Sequence, residues 1–194
     1  MRRIFFLFSL FITYFLAIEY SADAVTSLQV INNNDSGVGS LRQALLSVED
    51  GGVIDLQPGL NILVGQSTGT ALPILDFSKG ITINGNGSTI SGNDAFPIFF
   101  AYKGANEITG LTLSHGLGKG GDGGSGAGGA GGGLGAGAAL FVWTDAHVNL
   151  SDVFFSDNNV IGGNGGSADS ANTDGGGGGG LYGSNGGDGG LSYG

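Results

Sequence analysis

The titratable side chains that could carry chemistry in this 194-residue sequence are sixteen carboxylates and two histidines; cysteine is absent. Paired carboxylates would point to glycoside cleavage, with one acid protonating the leaving group and the other acting as base or nucleophile. Clustered carboxylates would point to Ca²⁺. The spacing here favours neither. Asp35, Asp55, Asp76, Asp94, Glu107 and Asp145 are spread along the chain, and Asp152 and Asp157 share one segment without an acid pair beside them. After residue 24 the only cations are Arg42, Lys79, Lys103 and Lys119, which leaves little to serve as a catalytic base. His115 and His147 lack a third ligand at zinc spacing and read as turn or surface histidines. Asp122, Asp174 and Asp188 sit in glycine tracts. The calcium β-roll repeat needs an apolar residue two places after the Asp, and Gly124, Gly176 and Gly190 stand there instead. Gly116–Gly121 with Lys119 lacks the Lys-[Ser/Thr] ending and the helix of a phosphate loop. The expectation is therefore no catalytic, cofactor-binding or metal site, no cofactor, and no enzymatic activity.

Charge narrows the partners further. The formal net charge is −10. Four scattered cations cannot neutralise a run of phosphates, so a nucleic-acid partner is not expected. An anionic membrane surface would repel the chain as well.

The elements that must hold these side chains begin with an address. Arg2 and Arg3 precede an apolar run from Ile4 to Ile18, followed by Ala22-Asp23-Ala24. That is the layout of a secretory signal peptide, residues 1–24, cleaved near Ala24, and it places the product outside the cell or on its surface. No membrane span is expected in the mature chain. Without disulfides, an exported chain depends on packing and backbone hydrogen bonds. Residues 25–52 read as a cap, a short strand plus a helix. Ser40 and Gln43 fit a capping box. Leu41, Ala44, Leu45 and Val48 fall on one helical face, with Gly51 and Gly52 ending a helix of about ten residues. Residues 53–115 carry short apolar runs at close spacing, read as strands of three to five residues.

These runs resemble one another. Gly87 aligns with Gly110, and Gly110 with Asp152 once a glycine insertion is removed. A period in the low twenties built from short strands marks a β-solenoid. Its inward positions would be Ile81, Ile83, Ile90, Ile108, Leu111, Leu113, Leu150, Val153 and Phe155. Trp143, Phe141 and Phe154 are expected to be buried or stacked between turns of the coil, and Asn158 to stack with equivalent turn residues. Residues 116–137 are the glycine-rich insertion, 138–160 a further strand-bearing turn, and 161–194 a second glycine-rich tract. Ordering about 20 residues costs on the order of 20–40 kcal/mol, whereas lengthening a loop from about 2 to about 20 residues costs only about 2 kcal/mol. Both tracts are thus expected to be mobile and disordered.

Asp35 to Leu45, DSGVGSLRQAL, resembles the opening of many exported bacterial right-handed parallel β-helix proteins. VFFSDNN contains Phe155-Ser156-Asp157-Asn158, which matches the F-x-x-N motif of the polymorphic outer-membrane protein repeat. GAGAALFV is similar to that repeat's paired G-G-A-[ILV] motif, with Gly135-Ala136-Gly137-Ala138 in place of a clean glycine pair. The resemblance covers Leu28 to Gly163. It implies an all-β right-handed parallel β-helix of four or five rungs, capped by the helix. It further implies a secreted or outer-membrane scaffold, often the passenger of an adhesin or autotransporter, with an unknown protein or glycan as surface ligand. The expected function is a non-catalytic adhesin-like scaffold forming the N-terminal part of a larger protein. The alternative is a polysaccharide lyase or glycosidase on the same fold.

Overall fold

A computed structural model describes residues 26–168 and 175–188. The expected signal peptide lies outside the described residues, as does Asp174. Ten strands and one short α-helix are described: β1 (Ser27–Val30), α1 (Leu41–Ser47), β2 (Val53–Leu56), β3 (Asn61–Leu63), β4 (Leu75–Asp76), β5 (Thr82–Ser91), β6 (Phe99–Ser114), β7 (Leu117–Lys119), β8 (Leu140–Ser151), β9 (Phe154–Ser156) and β10 (Asn159–Ile161). The fold is mostly β, with the helix where the sequence places it. Eight strands form one sheet, with β1-β2-β5-β6 in order and β3, β4, β8 and β9 joined to them; β7 and β10 pair separately. Every one of these pairings is parallel.

Helix α1 starts because the Ser40 side chain accepts the Gln43 N–H, satisfying one of the free donors of the first turn. The reciprocal half of the capping box is absent: Gln43 donates instead to Ser47 Oγ at 2.8 Å. The helix ends at Ser47, earlier than Gly51 predicts, because Val48 turns to extended geometry and its side chain folds into the core. Leu41, Ala44, Leu45 and Val48 are all buried against the β1–β2 end of the sheet.

Parallel register builds the core in files. Leu28, Ile54, Ile83, Ile108 and Leu150 are successive register partners, as are Ile62, Ile90, Leu113 and Phe155. In each file the aliphatic of one strand lies beside that of the next, with β2 and β3 both paired to β5 and β8 and β9 both paired to β6. A central isoleucine or leucine buried in this way is stabilised by about 1.5–3 kcal/mol. An outward polar file runs alongside, in which Asp55 accepts from Gln29 and Asn84 of the flanking strands. The alignment of Gly87, Gly110 and Asp152 holds. All three have positive φ (76°, 63° and 52°) and turn the chain at matching points in the register. The strands are longer than expected, up to 16 residues in β6, because the ladder continues through such bends instead of breaking at them.

The files end abruptly. Ile81, Ile83, Ile90, Ile108, Leu111 and Leu113 are buried as predicted. Leu150 and Phe155 occupy the same inward positions one level on, yet are 42% and 51% exposed, and Val153 is half-buried. Among the described strands, none covers the outer edge of β8 or β9. An open edge with apolar ends invites pairing with another chain. This chain is expected to associate as its concentration rises, and Leu150→Asp with Phe155→Asp to restore a monomer, read by sedimentation velocity. A wild-type chain that stays monomeric at high concentration contradicts this.

Candidate ligand-binding surface

One charged group is buried at the start of the core. Arg42 donates to both the carbonyl and the carboxylate of Asp35, the latter at 2.9 Å, and to the Ala71 and Thr70 carbonyls. Asp35 also accepts from the Gly65, Ser67 and Thr68 backbone N–H groups and from both hydroxyls, Thr68 Oγ1 at 2.7 Å. Burial alone would raise its pKa, but the hydrogen bonds from Arg42, Thr68 and Gly65 outweigh that and hold it far below the usual carboxylate range. Every lone pair of Asp35 is occupied, so it acts as a lock between α1 and the 65–71 loop, with no capacity left for a ligand. A polar cleft of ≈ 460 Å³ opens beside it, lined by Asn33, Asn34, Asn61 and Gln66 among others.

The described residues of the glycine tracts depart from the expected disorder. Residues 117–126, 128–135, 161–168, 175–180 and 184–188 lie side by side and exchange backbone hydrogen bonds. Gly120, Gly123 and Gly126 donate to Ile161, Asn164 and Ser167; Gly121 and Gly124 donate to Gly180 and Gly177; Gly133 donates to Gly121. The recurrence every third residue is that of a polyproline-II-type helix, with three residues per turn and no internal hydrogen bonds, so its donors must be met by neighbouring segments. Among the described glycines of the tracts only Gly137 and Gly183 have positive φ. Glycine is needed for closeness instead: a Cβ at Gly121 would overlap the Ser184 carbonyl, at Gly124 that of Gly187, at Gly132 that of Gly163. Hydrogen bonds between segments and close backbone contact offset the entropy of ordering them. The tract acids take part. Asp122 accepts from the Asn164 backbone at 2.7 Å, and Asp188 from the Ser125 backbone at 2.9 Å.

Where the first tract returns to the sheet, β8 brings an aromatic group. Phe100 and Phe141 are register partners with ring centroids 5.2 Å apart, nearly perpendicular. Tyr102 and Trp143 lie 6.4 Å apart with planes at 32°, and the two are 36% and 42% exposed. Phe100 contacts both of them. The Lys103 ammonium sits 5.7 Å from the Tyr102 ring centre and 3.7 Å from Asp76. The expected burial of the aromatics is thus corrected in part. Phe141 packs edge-on against Phe100, whereas Trp143 is exposed and Phe154 is 68% exposed, because among the described strands none covers them.

His115 turns a bend at φ 49° and lies exposed, with Nδ1 3.3 Å from Asp94; His147 is exposed on β8. Among the described residues no three of His, Asp and Glu gather closely enough to hold a metal ion. Asn158 does not stack on equivalents: it accepts the Gly116 N–H at 2.8 Å and donates to the Leu113 carbonyl at 2.9 Å, tying its turn to the level before. Among the described residues no helix is long and apolar enough to cross a membrane. Comparison with protein-family models, curated proteins and solved structures finds no match to this chain.

Proposed function

We propose that this chain is a right-handed parallel β-helix, capped at its first rung by α1, that serves as a non-catalytic, adhesin-like scaffold secreted or held at the cell surface. The reading is carried by the parallel register in which Leu28, Ile54, Ile83, Ile108 and Leu150 lie level upon level. Alternate side chains of these strands point away from that core, which leaves their outward face free for display. Two further features support it. The N-terminal Arg2-Arg3, apolar run and Ala22-Asp23-Ala24 suit export. The glycine tracts project from the sheet between β7 and β8 and after β10, adding surface without adding to the core.

The test is made on the chain as synthesised in producing cells. Mass spectrometry is expected to find a mature N-terminus near Val25, outside the cytoplasm and open to added protease. Beads coated with it are expected to adhere to a surface that bare beads do not. A full-length product protected inside the cell overturns the assignment. Antiparallel hairpins or two facing sheets in a crystal structure would overturn the coil.

A further inference from the structure

Tyr102 and Trp143 are where the register of the sheet changes. Leu75 pairs with Ala101 and Asp76 with Lys103, so Tyr102 is an extra residue relative to β4. Ala101 in turn pairs with Val142 and Lys103 with Asp145, so Trp143 and Thr144 together face Tyr102. The strand therefore lengthens by one residue at each of two successive levels, and an aromatic ring stands at each inserted position. The core needs neither bulge, since Leu75 and Ala101 are buried in register beside them. Bulges re-aim side chains and are found next to binding sites.

We propose that Tyr102 and Trp143 form a stacking platform for a neutral glycan, resting on the reading of the chain as a surface-displayed scaffold. Both rings are exposed, inclined by only 32°, and supplied by adjacent strands, which sets their 6.4 Å separation. Phe100 packs against both, with ring centroids 6.3 Å away in each case. A pyranose ring has an apolar face of C–H groups and a rim of hydroxyls. The apolar face suits an aromatic ring; the hydroxyls suit the phenol and indole N–H tips and the charged groups at the edge, Lys103, Asp76 and Asp145. Two exposed rings 6.4 Å apart offer more apolar surface than one sugar covers, which favours an oligomer over a single sugar. A chain of net charge −10, with one lysine at the platform and that lysine already beside Asp76, disfavours uronates, sulfated glycans and anionic lipid headgroups.

Trp143 is the only tryptophan, so its fluorescence reports the platform directly. The full chain is titrated with cello-, chito-, manno- and malto-hexaose, with hexagalacturonate and heparin fragments as acidic counterparts. At least one neutral oligomer is expected to shift Trp143 emission saturably and more tightly than its monosaccharide and than either acidic glycan. Tyr102→Ala is expected to weaken binding about tenfold or more, as truncation of an aromatic anchor does. Trp143→Ala should abolish it and Trp143→Tyr retain it, both read by calorimetry. Both side chains are exposed, and matching circular dichroism confirms that the three variants fold. Failure of every neutral oligomer, tighter binding of an acidic one, or affinity unmoved by Tyr102→Ala and Trp143→Ala each overturns the platform. Adherence that survives both alanine variants and is not competed by neutral oligomers shows a protein receptor; it overturns the platform and leaves the scaffold reading standing. An unexported chain that still binds the oligomers does the reverse.

Discussion

Asp35→Ala is expected to lower stability by about 3–5 kcal/mol, the cost of leaving one member of a buried charged pair without the other. The guanidinium of Arg42 would remain nearly enclosed, and the Gly65, Ser67 and Thr68 N–H groups would lose their acceptor together. In a chain of this size each 1 kcal/mol moves the thermal midpoint by about 2–4 °C. The lock also has a pH signature. Asp35 has a lower pKa folded than unfolded, so its contribution is complete above the unfolded carboxyl value of about 3.9 and is lost as pH falls toward the folded value. The stability gap between wild type and Asp35→Asn should accordingly be widest near neutrality and narrow below about pH 4. Denaturant titrations from neutral pH into acid measure it. A midpoint unmoved by Asp35→Ala, or a gap that widens in acid, rules out the lock.

The second large effect is expected in the glycine bundle, where two substitutions of identical chemistry should part company. Gly121→Ala puts a methyl group into the Ser184 carbonyl at a buried position, so the segments must separate. Amides of Gly120, Gly123, Gly133 and Gly163 should then exchange hydrogen nearly as fast as in an unfolded chain, while those of β5 and β6 keep their protection. Gly131→Ala meets open space and ordinary backbone geometry. It should leave protection intact or raise it slightly, since alanine restricts the unfolded chain by about 0.4–1 kcal/mol relative to glycine. Hydrogen–deuterium exchange read by mass spectrometry separates the two. Equal behaviour of both variants, whether both protected or both open, sinks the packed bundle and returns the tracts to loose loops.

Much of the architecture could be read along the chain because it rests on local pattern. The 3.6-residue spacing of Leu41, Ala44, Leu45 and Val48 located the one α-helix among the described residues, and Ser40 its start. Recurrence of Gly87, Gly110 and Asp152 marked equivalent bends, since a left-handed conformation restricts which residues can stand there. The inward aliphatics from Ile81 to Leu113 followed from alternation alone. What was not legible depends on distant partners. Asp35 looked like one more scattered acid. A hint lay in Arg42, the first cation after residue 24 and seven residues away, but the loop at 65–71 that completes the lock has no marker near either residue. Trp143 gave no sign of exposure, because its strand reads like any buried one.

Periodicity and residue chemistry thus dictate the parallel, mainly β character of this chain with its short helix, its acidic balance and its bends. Folding in three dimensions settles which acid is sealed, which rings are left outside, and that the glycine tracts pack. The reason is physical. Alternation and φ preference act between neighbours along the backbone, whereas burial of a charge, termination of a core file and carbonyl contact between glycine segments arise among residues dozens of positions apart, whose meeting no local pattern records.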